Sequence, residues 1–300
     1  MTIDLAMRRQ FFAEEIQATC NLSTPSLVEA LASVPREAFL RPGPWLVVGE
    51  GTFLTGPRQT PDADPRHVYH NLSVAIDPAR QLFNGAPAVV SVSIDALLLR
   101  PGARVLHVGA GWGYYSALMA HCVGPAGRVL ALEVDEELAR QARANLAPWS
   151  WVEVRHDDAA GRLDETFDAM LFSAGVTHPR DGWLDCLGPG GHMVLPLTVS
   201  FAGTPLPPSA GPMTTIGKGV MVAVGRSQDG QAWDARLVTM IAIYSALGVR
   251  DDTMNARLGE AMKRNPFPRL TRLRRDAHDP DTSCWLHGDT ACLVMASPPV

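Results

Sequence analysis

Gly109, Gly111 and Gly113 stand at alternate positions directly after the short apolar run Arg104–Val108, in the stretch VLHVGAGWGYYSALMA. Tyr114–Val123 then continues with helical apolar spacing. A strand that turns through three glycines into a helix suits few folds. Glycine tolerates positive φ, and its missing side chain lets the polar chain of a ligand approach backbone N–H groups. A tight turn that holds nothing is the weaker explanation of this spacing.

The flanking sequence sets the fold class. Helical spacing is predicted over 89–99, 136–146 and 183–187, and strands over 128–134, 151–155, 167–172 and 191–197. Strands alternating with helices imply a parallel, doubly wound α/β sheet. Two further strands, 219–226 and 235–244, are joined through SQDGQ as a hairpin. Upstream, residues 2–40 read as helical, with Ser23 or Thr24 capping a helix that Pro25 begins. Residues 41–66 are Pro- and Gly-rich loop, and 67–76 contain a short strand. Past 250, a helix over 253–264, a basic stretch and a hairpin, CWLHGDTACLVMA, form an addition. Three segments follow: an N-terminal helical and loop cap (1–80), a ligand-binding core (81–250) and a C-terminal α+β extension (251–300).

The 300 residues are 46% apolar and 19% charged, the profile of an ordinary globular chain. A net charge of -5 argues against a nucleic-acid partner, and no apolar run is long enough to span a membrane. Cys20, Cys122, Cys186, Cys284 and Cys292 include no CxxC pair and are odd in number, so they read as reduced thiols of a cytoplasmic protein, with no metal site expected. The N-terminus lacks the apolar core of a signal peptide.

Three ligands compete for the glycine turn. A triphosphate is excluded because no GK[ST] follows. GWGYYS nearly fits a dinucleotide pattern, but Trp112, Tyr114 and Tyr115 would crowd a pyrophosphate while suiting a nucleoside. Glu133, at the tip of the second strand, can accept from ribose hydroxyls of either NAD or S-adenosylmethionine. Asp158, at the tip of the third, can accept from an adenine amino group. That contact, with the turn LGPGG before the fifth strand, favours S-adenosylmethionine.

On RPGARVLHVGAGWGYYSALMA, GRVLALEVDEELA, WVEVRHDDAAG, FDAMLFSAG and LGPGGHMVLPL, residues 81 to about 245 resemble the class I methyltransferases, and more narrowly the protein-L-isoaspartate O-methyltransferases. The resemblance implies a Rossmann-like seven-stranded sheet with one antiparallel strand, holding S-adenosylmethionine at the carboxyl ends of its strands. By position, Gly109, Gly111 and Gly113 would surround the methionine part, Glu133 the ribose and Asp158 the adenine, with His107, Trp112, Tyr114 and Ser173 completing the cofactor site. Three departures stand out. Asp157 occupies a usual glycine, His107 replaces a common acidic residue, and FNGAP replaces the family's Thr-Ile-Ser-x-Pro, so that Ala86 falls where the family has its proposed catalytic serine.

A carboxylate acceptor is ionised at neutral pH and needs positioning more than a base. The expected activity is therefore O-methylation of an aspartyl or isoaspartyl carboxylate in a peptide or protein, with the lost serine tilting the reading toward peptide tailoring over damage repair. A small-molecule O- or N-methyltransferase and a non-catalytic binding module are the alternatives. Asn84 and His178 are the candidate catalytic residues, for orienting or deprotonating the acceptor. Asp62, Asp64, His67 and His70 read as a solvated loop, and Lys263, Arg264, Arg269, Arg272, Arg274 and Arg275 as a solvated basic face.

Overall fold

The computed structural model describes residues 4–49, 55–161, 163–200 and 216–296. Positions 2–3, 50–54 and 297–300 of the expected outer segments lie outside the described residues. In chain order come helices α1 (Leu5–Cys20) and α2 (Pro25–Ser33), then strands β1 (Leu46–Val48), β2 (Arg58–Gln59), β3 (Ser73–Asp77) and β4 (Leu82–Phe83). The core follows as α3 (Pro87–Asp95), β5 (Arg104–Val108), α4 (Tyr114–Val123), β6 (Arg128–Glu133), α5 (Glu136–Leu146), β7 (Val152–His156), β8 (Phe167–Phe172), α6 (Asp181–Cys186) and β9 (Leu187–Ser200). The chain ends with β10 (Ile216–Arg226), β11 (Trp233–Tyr244), α7 (Asp252–Arg264), β12 (Leu270–Arg274), β13 (Cys284–His287) and β14 (Cys292–Met295).

The large sheet has the order β13-β14-β12-β11-β10-β9-β8-β5-β6-β7. Strands β5 to β9 pair in parallel, and β10 pairs antiparallel with β9 and with β11. The seven strands β5 to β11 thus contain one antiparallel member, as the resemblance implies. The extension then continues the same sheet through β12, β14 and β13, so the described sheet has ten strands rather than seven. Strand period explains the two-sided core. Val105 packs with the N-terminal helices and α4, whereas its neighbours Leu106 and Val108 pack on the opposite face with α6 and α7.

A second, small antiparallel sheet, β2-β1-β3-β4, takes β1 and β2 from the region expected to be loop, and β3 is the short strand expected within 67–76. No alternating pattern marks it, because its strands are only two to five residues long. Pro25 does open α2, but Thr24 makes no side-chain cap. Asp95, at the end of α3, instead accepts from the N–H groups of Ser23 and Thr24 and from the Ser23 hydroxyl. No described helix is long and apolar enough to cross a membrane.

Arg36 ties the small sheet to the core. It is fully buried, and its Nη1 donates to the carbonyls of Val68 and His70 (2.6 and 3.1 Å) while Nη2 donates to that of Leu72 (2.7 Å). Nη2 also approaches Asn84 Oδ1 at 3.4 Å. Replacement Arg36→Met would leave these buried carbonyls unsatisfied, and denaturant unfolding is expected to show a loss of about 3–5 kcal/mol. A loss under about 1 kcal/mol would mean that the turn at 68–72 is held by other contacts.

Candidate active site

The glycine turn lies at the carboxyl end of β5. Gly109, Gly111 and Gly113 all have positive φ (82°, 57° and 92°). Two of them are also packed closely. A Cβ on Gly113 would lie 2.7 Å from Leu146 Cδ1 of α5, and one on Gly109 would lie 3.3 Å from the Ser173 carbonyl carbon. Side chains at either position would strain the backbone and push α5 or the end of β8 away. Gly113 is also the N-terminal cap of α4, which leaves the first N–H groups of that helix facing the turn.

Glu133 is 4% exposed and faces this turn from the end of β6. Its carboxylate accepts from the Gly111 N–H (2.7 Å) and the Asp135 N–H (3.1 Å). Burial pushes its pKa up, while those amide donors pull against the rise. Asp135 caps α5 by accepting from Leu138 N–H at 2.9 Å, and it also pairs with Arg80, which in turn holds Asp77 at the end of β3. The small sheet is thereby tethered to the tip of β6 and the start of α5.

A cavity of about 880 Å³ opens over the turn, within the range of small-molecule sites. Asn84, Gly109, Gly111, Trp112, Gly113, Tyr114, Glu133 and Ser173 all line it. Trp112 Nε1 and the Tyr114 hydroxyl are buried without a hydrogen-bond partner. Trp112 itself is fixed, with Arg41 stacked 5.5 Å from its ring and Asn145 Nδ2 donating to its carbonyl.

Three of the expected site residues stand elsewhere. His107 lies beneath the floor, fully buried, with Nδ1 2.7 Å from Ser116 Oγ and Nε2 2.9 Å from Ser173 Oγ. It joins α4 to the tip of β8 and does not line the cavity. Asp158 also lies off the wall; its Oδ1 accepts from Ala160 N–H, and its Oδ2 would be 2.5 Å from a Cβ on Gly248. His178 is turned away as well. The chain after β8 forms bridges with Leu197 and Ser245, which carries His178 toward Thr177 Oγ1 (2.9 Å) and away from the cavity. Burial lowers its pKa. Asn84 does line the cavity, but its Oδ1 accepts from Val74 N–H at 2.8 Å and so pins β4 to β3.

Elements far away in sequence supply the rest of the wall: Lys218 and Met221 of β10, and Met240, Ile241 and Tyr244 of β11. The Tyr244 hydroxyl donates to the Gln81 carbonyl (2.6 Å) and accepts from Phe83 N–H (3.2 Å), closing β11 onto the small sheet. Tyr115, from α4, makes a similar bond to the Gly85 carbonyl. Only the apolar runs of β10 and β11 signalled these residues, and nothing in them announced a wall. The residues read as solvated behave largely so: Asp62 pairs with His67 and Arg66. Arg274 and Arg275 are taken up by Asp276, Asp181 and Asp185.

The family model of the protein-L-isoaspartate(D-aspartate) O-methyltransferases (PCMT) matches residues 57–202. A protein-L-isoaspartate O-methyltransferase of Aeropyrum pernix is 32% identical over 197 residues, which span 64% of this chain and 65% of that protein. One from Methanothrix thermoacetophila is 30% identical over 195 residues, spanning 64% of this chain and 81% of that protein. The chain belongs to the protein-L-isoaspartate O-methyltransferase family. At the level of fold it is similar to a Plasmodium falciparum protein solved with S-adenosyl-L-homocysteine and described as a putative member (TM-score 0.56, 16% identity, 79% of this chain and 97% of that one). For a chain of this family, Ala86 is the position to watch. It is the N-cap of α3, its side chain caps nothing, and it lines the cavity.

The neutral His107 bridge has a pH signature. Burial pushes its pKa down to about 3. As pH falls below about 6.5 the unfolded chain binds a proton that the native one refuses, so native stability declines toward pH 3. His107→Gln removes this contribution. Between about pH 6 and pH 5, urea unfolding is expected to show the wild type losing about 1 kcal/mol more than the variant. Equal slopes would mean that the imidazole is protonated in the native state.

Proposed function

We propose that the chain is an S-adenosylmethionine-dependent O-methyltransferase whose acceptor is an aspartyl or isoaspartyl carboxylate of a peptide. The observation that carries this reading is the buried Glu133 carboxylate lying against the Gly111 amide, on the wall of a cavity roofed by apolar side chains. Glu133 has acceptor capacity for ribose hydroxyls, and the glycine backbone with the start of α4 offers N–H groups to the methionine carboxylate. The cofactor, when bound, supplies an electrophilic methyl group.

The chain's own part is positioning and exclusion of water. A carboxylate acceptor arrives ionised, so no general base is needed, in keeping with His178 lying off the cavity. Leu171, Phe172, Met221 and Ile241 give an apolar surround that would strip water from an acceptor oxygen aligned with the sulfur–methyl bond. Ser173 and Ala174, at the tip of β8, line the same cavity.

Ala86 supports the narrower part of the proposal, that the acceptor is a dedicated peptide under tailoring rather than any damaged protein. Without the family's serine hydroxyl at this wall position, a generic isoaspartyl chain loses a hydrogen bond that a matched peptide replaces by its other contacts.

Titration calorimetry with S-adenosylmethionine and S-adenosylhomocysteine tests the cofactor. Binding is expected, and Glu133→Gln is expected to weaken it about ten- to hundredfold; no binding of either compound removes the enzyme reading. Mass spectrometry on isoaspartyl and aspartyl peptides tests the acceptor. A gain of one methyl group that mild base removes is expected, low on generic isoaspartyl peptides and at least about tenfold higher with Ala86→Ser. A base-stable gain would point to nitrogen or ether chemistry instead.

A further inference from the structure

Four side chains of the extension meet beyond the stretch that the family model matches. His278, Cys284, His287 and Cys292 bring one ligand atom each to a cluster in which all four lie within 4.8 Å of one another. It is the one grouping of metal-ligating residue types among the described residues. We propose that this cluster is a structural zinc site.

The local fold explains how the four converge. Strands β13 and β14 are antiparallel, and His287 sits directly opposite Cys292, which puts both side chains on one face. Cys284 lies three residues before His287, so in a regular strand it would point to the other face. The register shift between Cys284 and Leu286 turns it back to the same side. His278 reaches over from the loop before β13. Its ring stands edge-on to that of His287, with centroids 4.8 Å apart, and its Nε2 lies 3.6 Å from Cys284 Sγ. In a tetrahedral site with Zn–S near 2.3 Å and Zn–N near 2.0 Å, neighbouring sulfur and nitrogen ligands are about 3.5 Å apart.

The surroundings prepare these atoms as ligands. His278 Nδ1 lies 2.8 Å from the Asp276 carbonyl, the outer bond that fixes a ligating imidazole with Nε2 free for the metal. The Nδ1 of His287 is buried with no hydrogen-bond partner, a cost that coordination or a small turn of the ring would relieve. Cys284 Sγ also receives the Asp281 N–H at 3.5 Å, the kind of donor that stabilises a bound thiolate. Both cysteines are buried. Two thiols and two imidazoles suit zinc and not magnesium or calcium, which take oxygen ligands. On binding, each thiol gives its proton to solvent, two S–Zn bonds and two N–Zn bonds form, and the ion sheds its waters. The neutral result leaves no open position, so the ion holds structure and does no chemistry.

The extension has use for such a pin. Strand β12 joins β11 through a single registered pair, Asp234 with Arg272, and β13 and β14 are four residues each. The stretch between Arg274 and Cys284 has no regular structure to anchor it.

The full chain, purified from zinc-supplemented cells and desalted, is expected to carry about one zinc per chain by elemental mass spectrometry. Metal-free protein given Co²⁺ is expected to show the strong visible bands of tetrahedral cobalt and a near-ultraviolet thiolate charge-transfer band. Cys284→Ser with Cys292→Ser should lose the charge-transfer band and lower retained zinc at least about tenfold, and His278→Gln should shift the visible bands. S-adenosylmethionine calorimetry on each variant reports whether the core is folded. Wild-type protein with under about a tenth of an equivalent of zinc and no tetrahedral cobalt spectrum would overturn the proposal. Zinc retained in full by the double cysteine variant, or a Cys284–Cys292 disulfide in freshly isolated protein, would overturn it equally.

Discussion

The bond from the Gly111 amide to the Glu133 carboxylate is the point on which the cavity hangs. It binds the turn after β5 to the tip of β6, and it does so inside the protein, where such a bond gains strength and an unpaired carboxylate would be costly. The turn can come this close because Gly109, Gly111 and Gly113 carry no side chain and adopt positive φ. Once the bond is made, the start of α4 faces the cavity, Trp112 is fixed between Arg41 and Asn145, and Asp135 is placed to cap α5 and engage Arg80. Geometry is propagated from one buried acceptor to three elements.

Polar and apolar parts of the wall have different origins. The polar parts come from the tips of consecutive parallel strands, as the topology of an open α/β sheet requires. The apolar parts come from more places: Leu171 and Phe172 of β8, the small sheet, and β10 and β11. Ala86 lines the same cavity, at the start of α3.

The parallel core was legible in the sequence because its signals are local: apolar runs, helical spacing and glycines after a strand. Tyr114–Val123, Glu136–Leu146 and Phe167–Phe172 emerge as read, and most of the glycine-turn residues reach the cavity. What was lost concerns direction and distance. His107, Asp158 and His178 follow or sit in the right strands, but the side of the sheet to which each points depends on pleat and on backbone bridges that no spacing encodes. Arg36 and Tyr244 act over 30 and more than 150 residues of chain, so no window could reveal them. The four ligands in the extension escaped for another reason. Their order, His, Cys, His, Cys, departs from paired-cysteine spacing, and their convergence needs a shift in strand register.

The Tyr244 hydroxyl has one further consequence, for the order of events during synthesis. Its partners at Gln81 and Phe83 precede it by 163 and 161 residues. A nascent chain that has emerged as far as β8 already possesses the glycine turn and the acidic strand tips, yet lacks the lid that β11 provides. Contacts so remote in sequence form late and at an entropic cost. The complete cavity wall is therefore a property of the finished polypeptide, and a product stalled at β8 would leave the glycine turn and the tip of β6 without their β11 wall.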